Sequence, residues 1–236
     1  MAIYFGAGNS LEHGADIQSR PVTVVGWFKS DDVTGVYNLL KMVDTSDTTH
    51  YRQCRVLGSI AGDPIGAIES AGSGAEARTT TGYSAGTWHH FIAIFQAQND
   101  RRIYIDGGST ATQTSFKSPG GIDNVILGDG LVALAECAMY SNFVPTSGEL
   151  AALAGGYAPT CVRPDRLVAY WPLFGKTDPE IDVIGGYAMT AVGTPTATPH
   201  PRIIYPSPQK LYFVPAAAAS TVPPILYHHR HHNKAA

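Results

Sequence analysis

The chain has 236 residues, enough for one large all-β domain or two small ones, and 44% of them are hydrophobic, which supports a sizeable core. Charged residues make up only 15%, against roughly 25% in an ordinary globular domain. The formal net charge of −3 offers no basic footprint for a polyanion, so nucleic acid is excluded as the expected partner.

Residues 2–5 read as a short first strand. Residues 21–29 form a β-branched and aromatic run expected to be buried. Short strands follow at 37–43, 51–57 and 64–69, each bounded by Gly, Asp, Ser or Pro, with a weaker Thr-rich candidate at 76–81. Turn signals about every 10 residues are the mark of a β-sandwich. Trp88–Phe95 is the strongest strand. Trp88, His90, Ile92 and Ile94 face one way and His89, Phe91, Ala93 and Phe95 the other, so both faces are expected to be covered and the strand central. In the next strand, residues 102–106, Ile103 and Ile105 point inward and Arg102, Tyr104 and Asp106 outward. Asp106-Gly107 then supplies the positive φ values of a tight hairpin.

Strands are expected at 123–127 and 132–141, then one helix of about two turns. Thr146-Ser147-Gly148-Glu149 has the form of a capping box, Leu150, Leu153 and Ala154 give an apolar face, and Gly155-Gly156 ends it. A last strand lies at 168–173. From about residue 194 the composition turns to Thr, Pro and Ala, and the prolines exclude a helix or a central strand. The expected organisation is a domain over 1–195 and an extended arm over 196–236.

Cys54, Cys137 and Cys161 are odd in number and widely spaced, which fits free thiols in a reducing compartment rather than a disulfide ladder or a zinc site. The first residues lack the pattern of a secretory signal, and no apolar run reaches the roughly 20 residues of a membrane span, so a soluble protein without a membrane partner is expected.

Trp88-His89-His90-Phe91-Ile92-Ala93 followed by Arg102-Ile103-Tyr104-Ile105-Asp106-Gly107 resembles the hairpin of laminin-G-like, concanavalin A-type domains. Val22–Phe28 with Trp27, Leu134–Tyr140, the Glu149/Leu153 helix and Tyr170-Trp171-Pro172-Leu173 with Asp182 behind it are similar to further segments of that family, in order across 2–195. The resemblance implies an all-β, concanavalin A-like (laminin-G-like) two-sheet jelly-roll sandwich with one short helix and an extended C-terminal arm. Trp27, Trp88, Tyr104, Asp106, Gly107 and Trp171 would carry the family motif. Domains of this kind with an apolar tail are similar to tailed-phage virion structural proteins. This implies a non-enzymatic capsid decoration protein, assembled in the host cytoplasm, that contacts itself and other virion proteins. The alternative is a carbohydrate-binding, lectin-like module on a phage tail, fibre or head that contacts host glycans, with Tyr83 and Tyr157 as candidate exposed rings.

Other candidate chemistry is weak. Gly82-Tyr83-Ser84-Ala85-Gly86 has the spacing of a nucleophile elbow, but a strand rather than a helix follows it. Glu180-Ile181-Asp182 resembles part of the glucanase motif on the same fold, but Gly185 and Gly186 stand where a second Glu would be, and glycoside hydrolysis needs two carboxylates. Neighbouring His89 and His90 face opposite sides of a strand and cannot share a metal, so one packed and one hydrogen-bonded is expected. Asp31, Asp32, Asp44 and Asp47 are candidates for calcium, with solvated loop carboxylates preferred; no cofactor is otherwise expected. His228-His229-Arg230-His231-His232 would gain positive charge below about pH 6.5. The arm carries Tyr205, Leu211, Tyr212, Phe213, Val214, Ile225, Leu226 and Tyr227, too apolar for an ordinary disordered tail. They are expected to fold back as an extra strand or to tie subunits together.

Overall fold

The computed structural model describes residues 1–14, 19–175 and 177–205. The strands are β1 (Ala2–Phe5), β2 (Ser10–Gly14), β3 (Val22–Lys29), β4 (Val36–Val43), β5 (His50–Leu57), β6 (Ile65–Ala71), β7 (Gly74–Arg78), β8 (His89–Ala97), β9 (Asp100–Ile105), β10 (Gly108–Gln113), β11 (Asn124–Gly128), β12 (Val132–Ser141), β13 (Leu167–Trp171), β14 (Thr190–Val192) and β15 (Thr196–Thr198). They form two antiparallel sheets. The first runs β10-β9-β8-β3-β12-β1-β15, with β13 also paired to β12; the second runs β14-β2-β11-β4-β5-β6-β7. A single α-helix, α1 (Ser147–Ala154), follows β12.

The continuous apolar runs of β3, β8 and β12 follow from burial on both faces. Val22, Val24, Phe91, Ala93, Phe95, Leu134 and Met139 enter the core between the sheets. Val25, Ile92, Ile94, Ala138 and Tyr140 point the opposite way, into a second cluster closed by Leu150 and Leu153 of α1 and by Val162, Leu167 and Tyr170. The capping box forms as expected: Thr146 Oγ1 accepts from the Glu149 N–H, and Glu149 Oε2 accepts from the Thr146 N–H at 2.7 Å. At the β9–β10 turn Asp106 and Gly107 have φ of 50° and 73°, the two positive values that the hairpin needs. Gly26 is required by close approach, since a Cβ there would lie 2.8 Å from Phe91 and 3.0 Å from the Cys137 sulfur.

Strands β2, β10, β14 and β15 are additional to those expected, and the Thr-rich candidate at 76–81 lies earlier, at Gly74–Arg78. Part of the stretch expected as the arm lies in the sandwich. Thr196–Thr198 adds to the open side of β1, and Ile204 bridges to Tyr157. Pro195 and Pro199 flank β15, which fits an edge strand that pairs on one side only. Among the described residues no helix is long and apolar enough to cross a membrane.

Candidate functional site

Polar side chains buried in a β-sandwich must be partnered, and their partners separate structure from candidate chemistry. One such group closes one end of the core. Arg52, Glu69 and Arg101 sit at inward-facing positions of β5, β6 and β9, at 3%, 0% and 0% exposure. Arg52 Nε donates to Glu69 Oε1 at 3.0 Å, Arg20 joins the same oxygen, and Arg101 Nε lies 3.4 Å from Oε2. Arg101 also donates to the carbonyls of Gln98 and Ser115 at 2.9 and 2.7 Å, so the cluster fastens loops as well as sheets. Burial lowers the pKa of both Arg52 and Arg101. The sequence signal was present but unread: each residue falls on the apolar parity of its strand (Arg52-x-Cys54-x-Val56, Ile65-x-Ala67-x-Glu69, Arg101-x-Ile103-x-Ile105).

The family-motif residues organise the opposite end. Asp106 Oδ1 accepts from the His90 N–H at 2.8 Å, and Oδ2 is 2.7 Å from His89 Nδ1. His89 Nε2 lies 3.1 Å from Ser84 Oγ, which completes a Ser-His-Asp chain on the segment that has the spacing of an elbow. The same Nε2 accepts the Ser84 backbone N–H at 3.0 Å. A neutral imidazole has one acceptor lone pair, so here it holds the Ser84 backbone, and the chain acts as a clamp between the loop before β8 and the β9–β10 hairpin. The His89 and Phe91 strand continues into a β9 hairpin rather than a helix, as the elbow test anticipated. His90 is the packed partner: it is 2% exposed, edge-on to Trp27 at 5.2 Å, and burial lowers its pKa to about 3. Trp27, Trp88 and Tyr104 are half-buried, with Lys29 Nζ 5.8 Å from the Trp88 ring centre, while Trp171 is fully buried and donates to the Tyr187 carbonyl at 2.6 Å.

A third group lies where β12 bulges. Glu136 has φ of 54°, and the pairing with β3 shifts register between Ala135 and Ala138. The extra residue turns Glu136 away from the core while Leu134 and Cys137 both stay in it. Its carboxylate, 1% exposed, accepts from Tyr170 Oη and from Tyr205 Oη (2.7 Å), with His200 Nε2 at 3.0 Å. Burial and the adjacent carboxylate raise the pKa of both tyrosines. Tyr205, the first of the arm residues, is thereby anchored to the sandwich. The remaining ones, Leu211, Tyr212, Phe213, Val214, Ile225, Leu226 and Tyr227, lie outside the described residues, as does the histidine cluster at 228–232.

Four of the carboxylates considered for catalysis or calcium, Asp182, Asp32, Asp44 and Asp47, accept bonds from the backbone. Asp182 accepts N–H bonds from Tyr170, Ile184, Gly185 and Tyr187 at 2.9–3.0 Å, and so shapes the turn after β13. Asp32, Asp44 and Asp47 each accept a hydroxyl and a backbone N–H from the residue two positions on, and these bonds lower all three pKa values. Among the described residues no three metal-ligating side chains cluster. Cys54 and Cys137 are buried free thiols, and Cys161 is exposed. Of the two rings named as sugar platforms, Tyr157 is 45% exposed. Tyr83 is not a platform: it is 4% exposed, packs edge-on against Phe28, and donates to the Asp32 carbonyl, so its strand-flanking position is filled by the core.

The outer face of the second sheet is different in kind. Register places Lys41, Gln53, Ile68 and Glu76 side by side across β4–β7, with Asn38, Arg55, Gly66 and Arg78 in the neighbouring row. Glu76 joins two guanidiniums, accepting from Arg55 Nε at 2.7 Å and Arg78 Nε at 2.8 Å. Lys117, in the segment after β10, reaches across to Ser73 Oγ at 2.7 Å. Between these strands and that segment runs a groove of about 390 Å³, with Ile68 and Ala75 as its apolar part and Gln113 and Ser115 on the far wall. Glycine keeps it open: a Cβ on Gly74 would lie 2.8 Å from Ile68, and one on Gly66 2.5 Å from Glu76 Oε1. The lining holds no aromatic ring, so recognition here works through hydrogen bonds and charge. A second groove of about 330 Å³ lies at the opposite edge, beside Ile3, Leu11, Asp178 and Glu180. There Asp178 is engaged by the Ala191 N–H at 3.0 Å.

A family model described as the concanavalin A-like lectin/glucanases superfamily matches residues 5–131, more than half of the chain. The chain belongs to this superfamily. Solved structures agree on the fold. A protein from Bacteroides ovatus described as a putative carbohydrate binding protein aligns at TM-score 0.56 and 16% identity, over 83% of this chain and 61% of that one. The native heptameric SAP-like pentraxin of Limulus polyphemus aligns at TM-score 0.50 and 13% identity, over 65% of this chain and 81% of the pentraxin. No curated protein matches the chain in sequence. In this superfamily member the first sheet spends its outer face on α1, whereas the second leaves its outer face to polar side chains. That groove was missed in the sequence because it forms where β7 meets the segment after β10, a pairing that no local pattern reveals.

Proposed function

We propose that this protein is a carbohydrate-binding, lectin-like module whose glycan docks in the groove on the outer face of the second sheet. The observation that carries this reading is the groove itself. Its volume falls within the roughly 300–1,000 Å³ of small-ligand sites, and it combines an apolar floor with convergent donors from Arg55, Arg78, Gln113 and Lys117. Superfamily membership and the likeness to a protein described as carbohydrate-binding support the same reading. The glycines at 185 and 186, where a second catalytic Glu would stand, favour binding over glycoside cleavage. A glycan array probed with the full chain tests the proposal. Saturable binding that is lost in Arg55→Ala is expected, and an array with no bound glycan contradicts it.

A second reading is a module carried on a phage virion and tied by its arm to itself or to other virion proteins; the large apolar residues that the arm carries in sequence, Leu211, Tyr212, Phe213 and Val214, support it. Light scattering of the full chain and of a chain ending at Tyr205 tests it, because that truncation keeps both β15 and the anchor. An oligomer that becomes monomeric on truncation is expected; two monomers contradict it.

A further inference from the structure

The geometry points to an anionic sugar, one bearing a carboxylate or sulfate, as the ligand class of the groove. This inference rests on the glycan-binding reading and adds a charge requirement to it. The groove gathers three cations, Arg55, Arg78 and Lys117, around one carboxylate, Glu76, on a chain whose net charge is −3. The excess positive charge is therefore local and opposes the sign of the whole molecule.

The arrangement suits a charged group more than a neutral one. Glu76 engages both guanidiniums through Nε, at 2.7 and 2.8 Å, and so fixes two planar forks on β5 and β7, either side of Gly66 on β6. Glu76 is 7% exposed at its side chain while Arg55 and Arg78 are 23% and 51% exposed, so the cationic groups, not the carboxylate, meet an incoming ligand. Guanidinium matches carboxylate and sulfate geometry through paired N–H donors, and charge-assisted bonds of this kind are the strong ones. Lys117, held by its hydrogen bond to Ser73, adds a point charge on the far wall, and Gln113 and Ser115 beside it offer partners for ring hydroxyls. A neutral sugar would leave the excess charge uncompensated.

Calorimetry of the full chain with a hexuronic acid trisaccharide, a sialylated trisaccharide and the matching neutral hexose trisaccharide tests this. At least one acidic sugar should bind about tenfold or more tighter than its neutral counterpart, the size of one charge-assisted bond. That preference should shrink as salt rises, because the groove is open to screening. Arg78→Ala with Lys117→Ala, confirmed folded by its melting curve, should abolish the preference. Equal affinity for acidic and neutral sugars, or a preference unmoved by the double variant, overturns the inference and leaves the glycan reading standing. Absence of binding to every sugar here and on the array overturns both.

Discussion

The two sheets of this sandwich use their outer faces in opposite ways. On the first, β3, β8 and β12 send a second set of apolar side chains outward, and α1 with the segment around Val162 covers them. On the second, β5 and β7 alternate, with Cys54, Val56 and Ala77 inward and Gln53, Arg55, Glu76 and Arg78 outward. A sheet sealed on both sides can contribute only stability. A sheet sealed on one side keeps a row of polar groups for a ligand, and glycine at 66 and 74 keeps that row from filling itself.

The contrast can be broken by substitution. On the sealed face, Leu153→Ala removes a residue 1% exposed and should cost about 2–5 kcal/mol in chemical denaturation. Tyr170→Phe, which takes a hydroxyl from the buried Glu136 carboxylate, should cost about 1–3 kcal/mol by the same measurement. His90 sharpens the comparison through pH. Its folded pKa of about 3 lies below the ordinary 6.5, so below pH 6.5 the unfolded chain takes up a proton that the folded chain refuses. Stability from this group is complete above 6.5 and falls as pH drops from 6.5 towards 3, by at most about 1.4 kcal/mol per pH unit. His90→Phe should flatten that part of the profile. On the open face, Arg78→Ala should change stability by no more than about 0.5 kcal/mol. A cost equal to that of Leu153→Ala would show that the groove belongs to the structural frame.

The sealed face was legible in the sequence because it leaves local marks. Trp88–Phe95 is apolar on both parities, and the capping box at Thr146 and Glu149 announces the helix that covers it. The open face was not. Arg55, Glu76 and Arg78 read singly as solvated strand residues, and only the pairing of β5, β6 and β7 brings them together. Short Ser-, Thr- and Ala-rich edge strands such as β10, β14 and β15 carry too little apolar alternation to be read. Tyr83 was misjudged because a polar, glycine-rich turn gave no sign that its ring folds back onto Phe28. Of the large apolar residues named for the arm, only Tyr205 lies within the described residues, and its partner, Glu136, is aimed at it by a bulge that strand alternation does not foresee.

The central claim is that the outer face of the second sheet is the binding face. Its most direct test is NMR chemical-shift mapping on the full chain with a glycan that the array selects. Binding in the groove predicts that the largest shifts fall on the amides of β5, β6 and β7 and on Gln113–Lys117. Shifts confined to α1, to the neighbourhood of Tyr157 or to the cleft beside Asp178 would contradict it.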